Sequence, residues 1–135
     1  MMRLGNRMMV RQFRRGGATT QGGVATLMLE TRGARSGETR RAVLGYLPEG
    51  NDDAWLVVAA LAGSARHPAW LYNLAAQPAA VVRFEDGREY PVVAETLEGD
   101  ELDRAWERYA REAPEFPRYR TKTDREIPII RLRRR

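Results

Sequence analysis

Residues 31–41 read Thr31-Arg32-Gly33-Ala34-Arg35-Ser36-Gly37-Glu38-Thr39-Arg40-Arg41, set between the apolar runs Val24-Ala25-Thr26-Leu27-Met28-Leu29 and Ala42-Val43-Leu44-Gly45-Tyr46-Leu47. Two apolar runs about a short turn-forming segment predict two strands, Val24–Thr31 and Thr39–Leu47. Gly33 and Gly37 permit positive φ, so the backbone N–H groups of the loop can turn inward on one point. Arg35 and Arg40 add planar, permanently charged donors, and Ser36 adds a hydroxyl. Such a loop suits a phosphate or carboxylate ligand. An ordinary arginine-decorated hairpin turn has the same composition, and residue types alone leave both readings open.

Beyond this pair, the turn Pro48-Glu49-Gly50-Asn51-Asp52-Asp53 leads into a third strand, Ala54–Leu61. The run from Trp55 to Leu61 lacks alternation, which predicts burial on both faces. Ala62-Gly63-Ser64-Ala65-Arg66-His67 then opens into a helix, Pro68 to Ala76, with proline in its first turn. Its N-terminus is a second candidate anion site. Ala79–Glu85 and Arg88–Thr96 read as a hairpin about a two-residue Asp86-Gly87 turn. Gly99–Glu112 is helical by pattern, with Leu102, Trp106 and Tyr109 on one face. Pro114 and Pro117 break the chain, leaving Phe116 and Tyr119 on a loop or short turn before a last strand, Ile127–Leu132. About six strands, two or three short helices and no βαβ alternation predict an α+β fold with an antiparallel, barrel-like sheet.

The length of 135 residues fits one domain, read as a basic N-terminal segment over 1–23 followed by a barrel over 24–135. With no cysteine and His67 as the single histidine, disulfides and thiolate metal sites are excluded and no metal is expected. The apolar runs are too short to span a bilayer and no signal peptide precedes them, which predicts a cytoplasmic protein. Arginine carries the net charge of +5, and residues 1–47 hold nine arginines against Glu30 and Glu38. A basic half of this kind attracts an anionic ligand, an anionic membrane surface or nucleic acid. Residues 3–15 read either as a short basic helix in weak contact with the inner membrane surface or as a mobile terminus packed over the barrel. The arginines do not interleave with a stripe of aromatics as single-strand binders require, so no nucleic acid is expected.

The order of the motifs is more specific than any one of them. T-R-G-A-R-S-G-E-T-R-R at 31–41 is followed by A-x-x-G-S-A-R-H-P-A-W-L-Y-N-L-A-A-Q-P at 60–78 and T-D-R-E-I-P-I-I at 123–130. Over about residues 24–132 the chain resembles the deazaflavin-dependent nitroreductase family, most specifically in H-P-A-W-x-x-N-L and in the R-x-I-P terminal strand. The resemblance implies a split β-barrel that binds coenzyme F420, with FMN as a weaker alternative. It implies hydride transfer from the reduced coenzyme to a small conjugated acceptor such as a quinone, enone or nitroaromatic, by a monomer or homodimer.

Carried over by position, the resemblance sets Gly33, Arg35, Ser36, Gly37 and Arg40 on the coenzyme's phosphate and oligoglutamate tail. Val43 and Leu44 follow along the groove. Ala59, Ala60, Leu61, Ala62 and Gly63 line the ring, with backbone N–H groups toward its carbonyls and Arg66 and His67 close by. Pro68, Trp70 and Asn73 form the opposite wall. Phe116 and Tyr119 sit where the acceptor stacks, with Tyr119 as the candidate proton donor.

The chain departs from the family pattern in places. Arg35 stands where lysine is common, Val43 where proline is common and Gly45 where tyrosine is common. Leu61-Ala62 replaces a ring-side Ser-Lys pair, with Arg66 a possible substitute for the lost lysine. Ala113 and Phe116 replace two aromatics near the acceptor.

Such chemistry asks little of side chains, because the coenzyme carries the hydride while the protein binds, orients and excludes water. Tyr46 and Tyr72 are alternative phenols. His67 reads either as a base or as a loop-locking residue, with no orienting partner visible in sequence. Trp55 and Trp106 read as core, and Asp124-Arg125-Glu126 as a solvated turn. A non-catalytic deazaflavin carrier is the alternative to a reductase.

Overall fold

The computed structural model of the chain describes residues 10, 20–21, 23–60, 67–123 and 125–135. The expected N-terminal helix over 3–15 falls outside them, Val10 apart, as does the segment 61–66. Along the described chain run β1 (Thr20–Gln21), β2 (Val24–Arg32), β3 (Thr39–Gly45), β4 (Leu47–Glu49) and β5 (Ala54–Val58). Then follow α1 (Ala69–Ala76), β6 (Ala79–Arg83), β7 (Glu89–Thr96), α2 (Gly99–Glu112), α3 (Glu115–Arg120) and β8 (Ile129–Arg134). Every strand pairing among them is antiparallel.

The sheet runs β1-β2-β6-β7-β8-β5-β4, and β3 pairs with β2 off this path. β3 and β4 thus stand at opposite ends of the sheet although only Tyr46 separates them in the chain. The single strand expected over Thr39–Leu47 is divided: up to Gly45 it pairs with β2, and from Leu47 it pairs with β5. At the junction the Tyr46 N–H still donates to the Ala25 carbonyl at 3.0 Å. This change of partner closes the curled sheet, which makes the fold an α+β split barrel as expected.

β5 divides two cores. Trp55 and Val57 point into one with Leu27, Leu29, Val82, Val92 and Leu132, capped by Trp70 and Leu74 of α1. Leu56 and Val58 point into the other, with Ile129, Trp106 and Tyr109 of α2 and Phe116 of α3. Burial on both faces of this strand follows its unbroken apolar run. Each such side chain contributes about 1.5–3 kcal/mol of transfer free energy. On the outer face of β2, Met28 packs with Val43 and Val10.

Three local expectations are corrected. The β6–β7 turn holds three residues, because Phe84 and Arg88 still pair (Phe84 N–H to Arg88 carbonyl, 2.9 Å) and Gly87 takes φ +93°. Phe116 and Tyr119 lie on the short helix α3, where Pro117 falls in the first turn and sacrifices no intrahelical bond. The last strand begins at Ile129 rather than Ile127, since Pro128 has no N–H for the ladder.

Candidate functional site

The β2–β3 loop is fixed largely by its own bonds. Gly33 N–H donates to the Glu38 carbonyl at 2.7 Å, and Gly37 N–H to the Gly33 carbonyl at 2.9 Å. Glu38 N–H donates to Ser36 Oγ at 3.1 Å. Only Gly37 uses positive φ, at +72°. Gly33 leaves room for the serine, since a Cβ there would come within 2.7 Å of Ser36 Oγ and force that hydroxyl to turn away. The expected convergence of N–H groups therefore shrinks to the tip, where Arg35 and Ser36 keep theirs unbonded within the described residues. Arg40 pairs with Glu38 at 3.2 Å, whereas the exposed Arg35 guanidinium has no ion-pair partner among the described residues.

Helix α1 holds this loop from behind. Asn73 accepts from Ala34 N–H at 2.9 Å and donates through Nδ2 to Thr31 Oγ1 at 3.1 Å. Asn73 is 7% and Thr31 3% exposed, so the carboxamide is a buried clamp rather than an open wall. The helix starts one residue after Pro68, with no side chain capping it.

At the head of α1, His67 meets Arg125. Arg125 Nη1 lies 2.8 Å from His67 Nδ1, and Nη2 donates to the Ala59 carbonyl at 3.1 Å. Partial burial draws the Arg125 guanidinium below the usual arginine range. The solvated turn expected around Arg125 is thus a bridge between β5, α1 and the chain entering β8. The His67 ring stands edge-on to Tyr72 at 5.9 Å between centroids, and Tyr72 is 56% exposed. Two N–H groups expected to face a ring are already engaged: Ala59 donates to the Pro128 carbonyl at 2.9 Å and Ala60 to the Val58 carbonyl at 3.0 Å. Leu61, Ala62, Gly63 and Arg66 lie outside the described residues.

Tyr119 borders the second core, as Ala60 does. Burial, and secondarily Glu115, pushes its phenol above the ordinary tyrosine value, so it stays protonated as a donor. Phe116 supports it edge-on at 5.6 Å but is itself only 4% exposed and packed on Tyr109. Phe116 is therefore a buttress beneath Tyr119 and not a stacking surface. Trp70, expected as a wall, is buried in the first core. Val43 and Leu44 cannot share a groove: alternation points Leu44 toward the first core and Val43 toward Met28 and Val10.

Arg125 is the residue that sequence reasoning missed. The signal lay in the R-x-I-P motif, whose arginine stands four residues ahead of Ile129, the start of the strand paired with β5. The β2–β3 loop, α1 and the His67–Arg125 pair form one strip, joined through Asn73 at one end and His67 at the other, and two concavities share residues with its ends. One of about 210 Å³ is lined by Trp106, Arg120, Arg125 and Ile127, and one of about 250 Å³ by Thr31, Arg32, Gln77 and Arg135. Among the described residues no group of acidic or histidine side chains is arranged to hold a metal, and no helix is long and apolar enough to cross a membrane. A spare guanidinium, two free backbone N–H groups and a hydroxyl on a clamped loop fit a phosphate- or carboxylate-bearing ligand.

A model of the F420H(2)-dependent quinone reductase family matches residues 2–133. An F420H(2)-dependent quinone reductase of Mycobacterium tuberculosis strain H37Rv is 32% identical over 117 residues, spanning 84% of this chain and 76% of that protein. A solved F420-H2 dependent reductase superposes with TM-score 0.69 at 31% identity, covering 79% of this chain and 92% of its own. A second structure, described as a domain-swapped dimer, gives TM-score 0.72 at 27% identity over 93% of this chain and 94% of its own.

Proposed function

The chain belongs to the F420H(2)-dependent quinone reductase family, and on that premise we propose that it is an F420-dependent reductase delivering a hydride to a small conjugated acceptor. The matched family is described by quinone reduction, which puts quinones ahead of enones and nitroaromatics. The observation that carries the reading is the exposed Arg35 guanidinium, without an ion-pair partner among the described residues, at the tip of a loop that Asn73 anchors.

When bound, the reduced coenzyme supplies the hydride. In this reading Arg35, Ser36 and the loop-tip N–H groups hold its phosphate and tail. Tyr119 offers an aromatic face to a flat acceptor and a protonated phenol to charge developing on it. The neighbour described as a domain-swapped dimer supports a homodimer as the assembly to test.

Titration of the purified protein with oxidised coenzyme F420, FMN and haem, followed by turnover of reduced coenzyme with quinones, enones and nitroaromatics, tests the proposal. Tight deazaflavin binding with quinone turnover supports it. Deazaflavin binding without turnover on any acceptor makes the protein a carrier, and preference for FMN or haem overturns the cofactor.

A further inference from the structure

The contacts of Arg125 at one end of the strip include the Ala59 carbonyl at 3.1 Å and His67 Nδ1 at 2.8 Å, with the Glu126 carbonyl more distant from Nη1 at 3.5 Å. A guanidinium has only donors, so a contact of this length requires a lone pair on Nδ1. The imidazole proton then sits on Nε2. That nitrogen has no protein partner among the described residues, and the ring is only partly covered, edge-on to exposed Tyr72. Fixing one ring nitrogen fixes what the other can offer.

We infer that Arg125 is a positioning residue for His67, holding the imidazole in the Nε2–H form as an uncharged donor to a carbonyl or anionic oxygen of the bound ligand. The inference rests on reading this strip as the coenzyme and acceptor site. The carbonyl on Ala59 serves as the fixed point: with Nη2 on the end of β5, Nη1 faces His67 Nδ1. A bridge that only braced the backbone would leave the tautomer of His67 indifferent to Arg125.

His67 is the single histidine of the chain, so its imidazole can be observed without overlap. Long-range 1H–15N NMR of histidine-labelled protein, recorded above the ordinary imidazole titration range, reports its tautomer directly. The wild type is expected in the Nε2–H form. Arg125→Met keeps length but removes the donors and is expected to give mixed tautomers, while Arg125→Lys restores a donor and with it the Nε2–H form. An Nδ1–H tautomer in the wild type overturns the inference without any variant, and so does an unchanged tautomer in Arg125→Met.

His67→Phe then separates the two possible oxygens. A Kd for oxidised coenzyme raised about three- to tenfold, as for one lost neutral hydrogen bond, assigns the coenzyme. An unchanged Kd with a raised acceptor KM assigns the acceptor, and no change in either overturns the donor role. Failure of the wild type to bind the deazaflavin at all removes the functional reading, while the tautomer measurement still decides the Arg125–His67 relation.

Discussion

Arg35 and Arg40 share a loop but not a situation. Arg40 already pairs with Glu38, whereas Arg35 is exposed with no such partner among the described residues. Replacing Arg35 by alanine removes a charge-assisted hydrogen bond worth about 1.5–3 kcal/mol, a loss of roughly tenfold or more in coenzyme affinity. Arg40→Ala is expected to weaken binding too, because it leaves the Glu38 carboxylate unopposed beside the anion. Fluorescence titration of both folded variants checks this, and unchanged affinity in the two would remove the tail from this loop. Tyr119 presents a different choice between donor and surface. Since its phenol is protonated and half-buried, Tyr119→Phe tests the donor alone, and Tyr119→Leu tests the ring. Turnover close to wild type in the first and a raised acceptor KM in the second are expected, because a later proton can come from water. A fall in turnover of ten- to a thousandfold in Tyr119→Phe would instead assign the phenol to the transition state.

Helix α1 is the element that joins the two ends of the strip, with His67 ahead of it on Arg125 and Asn73 within it on the β2–β3 loop. Asn73→Ala leaves the buried Thr31 hydroxyl and the Ala34 N–H without their partner, at a cost of about 1–3 kcal/mol. Thermal unfolding is expected to show the loss, and coenzyme affinity to fall with it although Asn73 is too buried to be a main contact. Full stability in Asn73→Ala would mean that the loop holds its shape by its own bonds. Much at this scale was legible in the sequence: β5 was recognised as buried on both faces, and α2 by its aromatic face. The division of Thr39–Leu47 was not, because nothing local marks a strand that changes partner at Tyr46. Arg125 escaped because Ala59 and His67, the contacts that tie it to the site, lie about sixty residues away in the chain. The opposed faces of Val43 and Leu44 were readable from strand period alone. The buried place of Phe116 depended on α2 and α3 packing, which no local pattern reports.

At the scale of the whole molecule, the surplus of arginine makes cofactor choice an electrostatic question. The net charge is +5, and the β2–β3 hairpin concentrates Arg32, Arg35, Arg40 and Arg41 within ten residues about its loop. Arg41 is turned to Glu30 and Arg40 to Glu38, so the share left for a ligand is smaller than the count suggests. FMN brings a phosphate but no oligoglutamate tail, so it engages the loop at one point, while the deazaflavin extends further along the basic surface. The deazaflavin is therefore expected to bind much more tightly than FMN in dilute buffer. Added salt screens exposed pairs and spares buried contacts, with a screening length near 10 Å at about 0.1 M. Raising the salt should then weaken the deazaflavin complex more steeply than the FMN complex, bringing the two affinities closer. Arg35→Ala should flatten the deazaflavin slope toward that of FMN, since it removes an exposed loop guanidinium that has no carboxylate partner among the described residues, whereas Arg32 already donates to the Gly37 carbonyl. Binding isotherms for both ligands at several salt concentrations, on wild type and variant, decide it. Parallel slopes and similar affinities would mean that the ring alone is recognised, and that the basic loop serves something other than the coenzyme tail.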